Sequence, residues 1–195
     1  MIEYNLKVIK QIDAGFNRDS FDIEVYSSEI ALKDIFYVKN RNINEYEILE
    51  EKKVNYSVVG SYIMQIGIFD YLTGKYLSFS TIINVIDSIS PIIKADKEYN
   101  IIDIDLVNID FLDFIEVFDN YDKNLNIKLN YYDKNMNKLN SEALEYLKKD
   151  FIIYVGYIAV DSSFNESEEV IVKFKLTDLT APNIIVNDIY IKDSE

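Results

Sequence analysis

The chain contains two prolines, Pro91 and Pro182, which stand 91 residues apart at the ends of two matching stretches. Each stretch opens on an aspartate: Asp87-Ser88-Ile89-Ser90-Pro91 and Asp178-Leu179-Thr180-Ala181-Pro182. The same offset carries Asp70 onto Asp161, and the apolar residues between these markers recur in phase. Tyr62, Met64, Ile66 and Ile68 alternate towards Asp70, as Ile153, Val155, Tyr157 and Ala159 alternate towards Asp161. After a short polar turn, Phe79, Thr81, Ile83 and Val85 match Val170, Val172, Phe174 and Leu176. Period-two alternation over such lengths marks a strand with one buried face. Each repeat therefore closes in a hairpin of two long strands. Its turns are Tyr71-Leu72-Thr73-Gly74-Lys75 and Ser162-Ser163-Phe164-Asn165-Glu166, with Gly74 and Asn165 suited to positive φ. Self-similarity at one fixed offset is the signature of duplication.

The expected organisation is two immunoglobulin-like β-sandwich modules in tandem, 1–90 and 91–182. Residues 183–195 are either a terminal strand that pairs with a neighbouring subunit or the start of a further repeat. The fold class is all-β, antiparallel, with minor helical turns. Phe21–Tyr26, Phe36–Val38, Pro91–Lys94 and Leu125–Tyr132 read as strands, and Phe111–Phe118 as a strand or a short helical turn. Ile102, Ile104 and Leu106 also alternate, while Ser141–Lys149 has helical propensity with Ser141 as N-cap. The richness in Ile, Val, Tyr and Phe suits pleated, half-buried surfaces.

Formal net charge is −14. A chain this acidic repels phosphate backbones and anionic lipids, so neither nucleic acid nor a bare membrane is an expected partner. There is no His and no Cys, which removes the usual nucleophile–base arrangements and nitrogen- or sulfur-ligated metal sites. No apolar run reaches the length of a membrane-spanning helix. The charges at Glu3, Lys7, Lys10, Asp13 and Arg18 exclude a signal-peptide core. The expectation is a chain made without a leader, or a segment of a longer exported protein.

Several motifs resemble a known group. Gly60-Ser61-Tyr62-Ile63-Met64-Gln65-Ile66-Gly67-Ile68-Phe69-Asp70 is similar to the G-x-Y-x-V-x-Y-x-A-x-D strand of bacterial immunoglobulin-like repeats in surface proteins. The second copy keeps Tyr157, Ala159 and Asp161. Asp178–Pro182 resembles the D-x-T-A-P junction of those repeats, and Val117–Asp122 their acidic segment. The resemblance implies a spacer, adhesin segment or interaction module, without shared catalytic residues.

No cofactor is expected, and calcium is the one ion the residues suggest. Asp133-Lys134-Asn135-Met136-Asn137 begins like a D-x-N-x-N loop, but Lys138 and Leu144 stand where a glycine and a bidentate acid are required. A polar hairpin turn explains it more simply. Asp119, Asp122, Asp161 and Asp178 form a second candidate set, expected to converge near a module junction, against the simpler role of capping turns. Tyr71, Tyr76, Tyr131 and Tyr132 are candidates for partner contact, and Asp87, Pro91, Asp178 and Pro182 mark the junctions.

The expected function is non-catalytic: a phage virion decoration protein bound to a capsid or tail lattice. The alternative is a bacterial cell-surface stalk or adhesin, in which neighbouring repeats, a host glycan or calcium would be the partners.

Overall fold

The computed structural model describes residues 8–102, 109–140 and 151–177. The chain divides into two compact units, Met1–Ile89 and Ser90–Glu195. The expected helix at Ser141–Lys149, the alternation beyond Ile102, the junction residues Asp178 and Pro182, and residues 183–195 lie outside the described residues.

In the first unit the order is β1 (Ala14–Phe16), β2 (Ser20–Glu24), a helical turn at Leu32–Ile35, β3 (Phe36–Val38), a 3-10 turn at Ile43–Glu45, β4 (Tyr46–Lys52), β5 (Gly60–Asp70) and β6 (Lys75–Ile86). β5 and β6 form the hairpin that the alternation predicts, in register from Gly60 opposite Val85 to Asp70 opposite Lys75. Their even and odd residues respectively face inward, so Met64, Ile66, Ile68, Thr81, Ile83 and Val85 are buried. The sheet runs β2-β6-β5-β4, and β1 pairs with β3 separately. The Phe36 ring of β3 meets Phe16 at 5.0 Å and Phe79 of β6 at 5.5 Å, both edge-on, which joins the two layers.

The second unit comprises β7 (Ile92–Ala95), β8 (Glu98–Ile102), a 3-10 turn at Phe111–Phe114, β9 (Ile115–Phe118), β10 (Asn126–Tyr132), β11 (Lys138–Leu139), β12 (Phe151–Val160) and β13 (Val170–Thr177). The main sheet runs β11-β10-β12-β13-β8, while β7 pairs with β9. The segment read as a strand or a helical turn is both in succession. Asp110 accepts from Leu112 N and holds the turn, and the chain then extends into β9. Phe174 lies at the centre of the core, with the rings of Tyr99, Phe111 and Phe114 at 5.5, 5.0 and 5.1 Å.

The all-β, two-layered class holds in both units, but the pairing is not wholly antiparallel. β2 runs parallel to β6, and β8 parallel to β13. An early strand thus lies along the outer edge of the closing hairpin in each unit. Alternation reports which face is buried and carries no information on strand direction, so the sequence did not distinguish these pairs.

The second turn also departs from expectation. Gly74 has φ 65°, but in the matching turn the left-handed residue is Phe164 (φ 67°), not Asn165. Asn165 is held by Asp161, to whose carboxylate it donates both its backbone N–H and its side-chain amide, at 2.7 Å each. The bend falls on the preceding residue, whose ring is 86% exposed.

Buried tyrosines need a partner for the phenol. Tyr157 is fully buried and donates to the Phe111 carbonyl at 2.9 Å, fastening the 3-10 turn to β12. Burial pushes its phenol well above the ordinary range. Tyr157→Phe leaves that carbonyl without its donor, an expected loss of about 1 kcal/mol, read from urea unfolding.

Candidate cation site in the second unit

Asp161 follows β12 directly and is 6% exposed. Its carboxylate caps the β12–β13 turn through Asn165. Asp119 follows β9, and its Oδ2 accepts from the backbone N–H groups of Tyr121 and Asp122, both at 2.8 Å. That turn brings Asp122 round to accept from Ser162 N and Oγ, at 2.9 and 2.7 Å. Carboxylate oxygens of Asp119, Asp122 and Asp161 consequently lie within 4.8 Å of one another. Three of the four expected calcium ligands are therefore brought together; Asp178 is outside the described residues.

Three carboxylates this close repel one another in a partly desolvated place. Among the described residues, the ion pairs are Arg41–Asp70, Lys128–Glu166 and Lys173–Glu98, and none reaches these aspartates. Asp119 Oδ1 is buried and accepts no hydrogen bond. Asp119 Oδ2, Asp122 Oδ2 and both Asp161 oxygens accept from backbone N–H, hydroxyl and side-chain amide groups, yet each retains lone-pair capacity for a ligand bond. Hard oxygen donors are the kind that calcium takes, and the three carboxylates would supply part of its six to eight oxygens. The capping role weighed against calcium is also real: the same aspartates hold their turns.

The counterpart of Asp161 one repeat earlier, Asp70, meets its need internally. It is fully buried and receives Arg41 in a two-pronged contact, Nε to Oδ1 and Nη2 to Oδ2, both at 2.9 Å. Thr73 Oγ1 and Leu72 N donate to the same carboxylate. The Arg41 hydrogen bond, aided by those from Thr73 and Leu72, lowers the Asp70 carboxyl to about 2 against the cost of burial. Both arginines of the chain, Arg18 and Arg41, fall in the first unit. At the duplicated position, one unit holds a guanidinium against the aspartate and the other holds two further carboxylates.

The remaining candidates fall into place singly. Asp133 is a hairpin turn: its carboxylate accepts from Asn135 N, Asn137 N and Asn137 Nδ2, and lies below the ordinary carboxylate range chiefly because of Asn137. Tyr131 packs its ring against Phe111 at 5.9 Å, whereas Tyr132 donates to Glu169, so the adjacent pair does face opposite ways. Tyr71 and Tyr76 are exposed beside the first hairpin turn, with Tyr71 donating to Glu47 at 3.0 Å. Asp87 is buried and accepts weakly from Ile89 N; Pro91 is also buried. Arg41 belongs to no motif, and its one mark in the sequence is scarcity: it is one of two arginines.

No protein-family model matches the chain, and no curated protein does. Among solved structures, the chain is similar to the fibronectin(III)-like modules of Clostridium thermocellum CbhA at 11% identity and TM-score 0.28, covering 90% of this chain and 100% of that one. It is also similar to protocadherin gamma B2 extracellular cadherin domains 1–5, at 11% identity and TM-score 0.34, covering 87% of this chain and 40% of that one. For the human desmocollin-1 ectodomain the values are 13% identity and TM-score 0.29, with 86% and 41% covered. Among the described residues, no helix is long and apolar enough to cross a membrane.

Proposed function

We propose that this chain is a non-catalytic structural and interaction element of an external surface, serving as a decoration protein on a phage capsid or tail. The observation that carries the reading is the tandem repetition of one β-sandwich unit, each copy with its own core. Repeating a self-contained module adds length and contact surface; it assembles no catalytic constellation. The charge is unequal, with net −4 over residues 1–91 and −8 over residues 92–182 by count of acids and bases. That asymmetry suits attachment to a protein lattice through the first unit while the more acidic second unit projects.

The alternative is a segment of a bacterial cell-wall stalk or adhesin, favoured by the recurrence of Asp-x-x-x-Pro at the repeat period. In either setting Asp119, Asp122 and Asp161 would bind a calcium ion that braces the second unit. Immunogold labelling with antibodies to the chain tests the choice. Gold on purified virions, with the gene lying among capsid and tail genes, supports the first reading. Gold on bacterial cell walls, with more repeats in the same reading frame, replaces it with the second, and label confined to the cytoplasm defeats both.

A further inference from the structure

Each unit runs an early strand parallel to the last strand of its hairpin, β2 along β6 and β8 along β13, so the two can be compared position by position. Phe21 of β2 stands opposite Ile83, and Tyr99 of β8 stands opposite Phe174. Ile83 and Phe174 match at the 91-residue offset, so Phe21 and Tyr99 hold corresponding places. In the first unit, the guanidinium of Arg18, three residues before Phe21, lies over the Phe21 ring at 6.0 Å. Three residues before Tyr99 the second unit has Asp96, and that unit contains no arginine.

Tyr99 instead lines a cavity of about 380 Å³ where the chain crosses from β7 to β8. Phe114, Asp96, Asp113, Glu116 and Lys94 line it as well. The Tyr99 phenol donates to Phe114 O at 3.1 Å and accepts from Asp96 N at 3.3 Å, which ties the crossover to the 3-10 turn. Its ring stacks on Phe174 at 5.5 Å and meets Phe114 edge-on at 4.8 Å, so both lining rings are fixed by the core. The charged lining is three acids and one lysine, and the Lys94 ammonium lies 4.8 Å from the Phe118 ring. Among the described residues, the ion pairs do not include Asp96, Asp113 or Glu116.

We propose that this cavity binds a guanidinium group, the side chain of an arginine presented by a partner protein. Aromatic rings beside carboxylates suit a planar, weakly hydrated cation: the rings attract it through their quadrupoles, and the carboxylates accept its N–H groups. The first unit shows the same preference, because there the chain supplies the arginine itself. Asp96 at the place of Arg18 reverses the charge and leaves the cation to come from outside. Three acids against one lysine repel an anion, and a neutral ligand gains nothing from that charge. One side chain in an open cavity binds weakly, with a dissociation constant on the order of a millimolar. The arginine is thus one anchor within a larger contact.

Amide chemical-shift titration of the isotope-labelled full chain tests this, at about 0.15 M salt and with a chelator present to keep metal off the other carboxylates. The probe is a blocked glycine pentapeptide with a central arginine, set beside the same peptide with citrulline, which keeps the shape and removes the charge. The arginine peptide is expected to shift the amides of Asp96, Tyr99 and Glu116 saturably, and the citrulline peptide is not. Asp113→Asn combined with Glu116→Gln should weaken binding at least about fivefold. Asp96→Arg, which restores the arrangement of the first unit, should abolish it, while Glu168→Gln at an exposed position elsewhere leaves it unchanged. The dispersion of the spectra confirms that each variant folds. Equal shifts with citrulline overturn the proposal, as does binding that the paired variant or Asp96→Arg leaves intact. Binding of free agmatine by a chain that ignores the peptide assigns the cavity to a small guanidine and overturns the partner protein as its source.

Discussion

Asp70→Ala is expected to destabilise the first unit by about 3 kcal/mol, lowering its melting temperature by roughly 15 °C. The variant removes the partner of Arg41, whose side chain is only 4% exposed, and leaves a guanidinium buried without a counter-charge. Arg41 also donates to the backbone carbonyls of Asn40 and Lys10, so the damage spreads to the segment leading into β4. Removing both charges together, as Arg41→Met with Asp70→Leu, is expected to recover much of the loss, since an apolar pair carries no desolvation penalty. Thermal unfolding followed by circular dichroism gives the comparison, and a loss under about 1 kcal/mol would mean that water replaces the arginine at little cost.

The pair also fixes an acid limit. The Asp70 carboxyl sits at about 2 when folded, depressed from its ordinary 3.8 by Arg41 first and by Thr73 and Leu72 N next. A depressed folded value means the carboxylate's stabilisation is fully present above pH 4 or so and disappears as pH falls through about 2. In Asp70→Asn this part of the acid dependence should be absent. A variant that tracks the parent over that window would show that other carboxylates dominate.

The second large expected effect is a response to calcium. With the ion at about a hundred times its dissociation constant, the second unit should gain about 2.7 kcal/mol, seen as a rise in its unfolding transition that a chelator reverses. The gain comes from neutralising Asp119, Asp122 and Asp161 where no lysine or arginine of the described residues is paired with them. Asp119→Asn keeps a side-chain oxygen for Tyr121 N and Asp122 N but removes the charge, so it should abolish the calcium response while leaving the unit folded. Isothermal titration calorimetry of parent and variant separates binding from general salt effects. Identical melting curves in calcium and in chelator, with no heat of binding, would leave the aspartates as turn caps alone.

The legible part of this molecule was the part with strict periodicity. Two hairpins, β5–β6 and β12–β13, follow residue by residue from the alternation of Met64–Ile68 with Thr81–Val85 and of Ile153–Ala159 with Val172–Leu176. Burial on one face imposes a period of two, and a period of two survives in sequence. The turn at Asp133 was likewise readable, because aspartate and asparagine at those spacings bond their own backbone. Short pieces were harder. β1 and β11, of three and two residues, are too brief to show any period.

The sequence by itself determined the all-β class and the inward faces of the long strands, since each depends on local pattern. It also assembled most of the aspartate set, because Asp161 and Asp119 sit at turns whose position the strands dictate. Only the tertiary structure decided that β2 and β8 run parallel to their partners, and that Arg41 closes on Asp70 across 29 residues. It alone revealed that Ser61 bonds Asn84 and Gln65 bonds Ser78 across the outer side of the first hairpin. Those features depend on which distant segments become neighbours, and neither the direction of a strand nor the partner of a buried charge leaves a local mark in the chain.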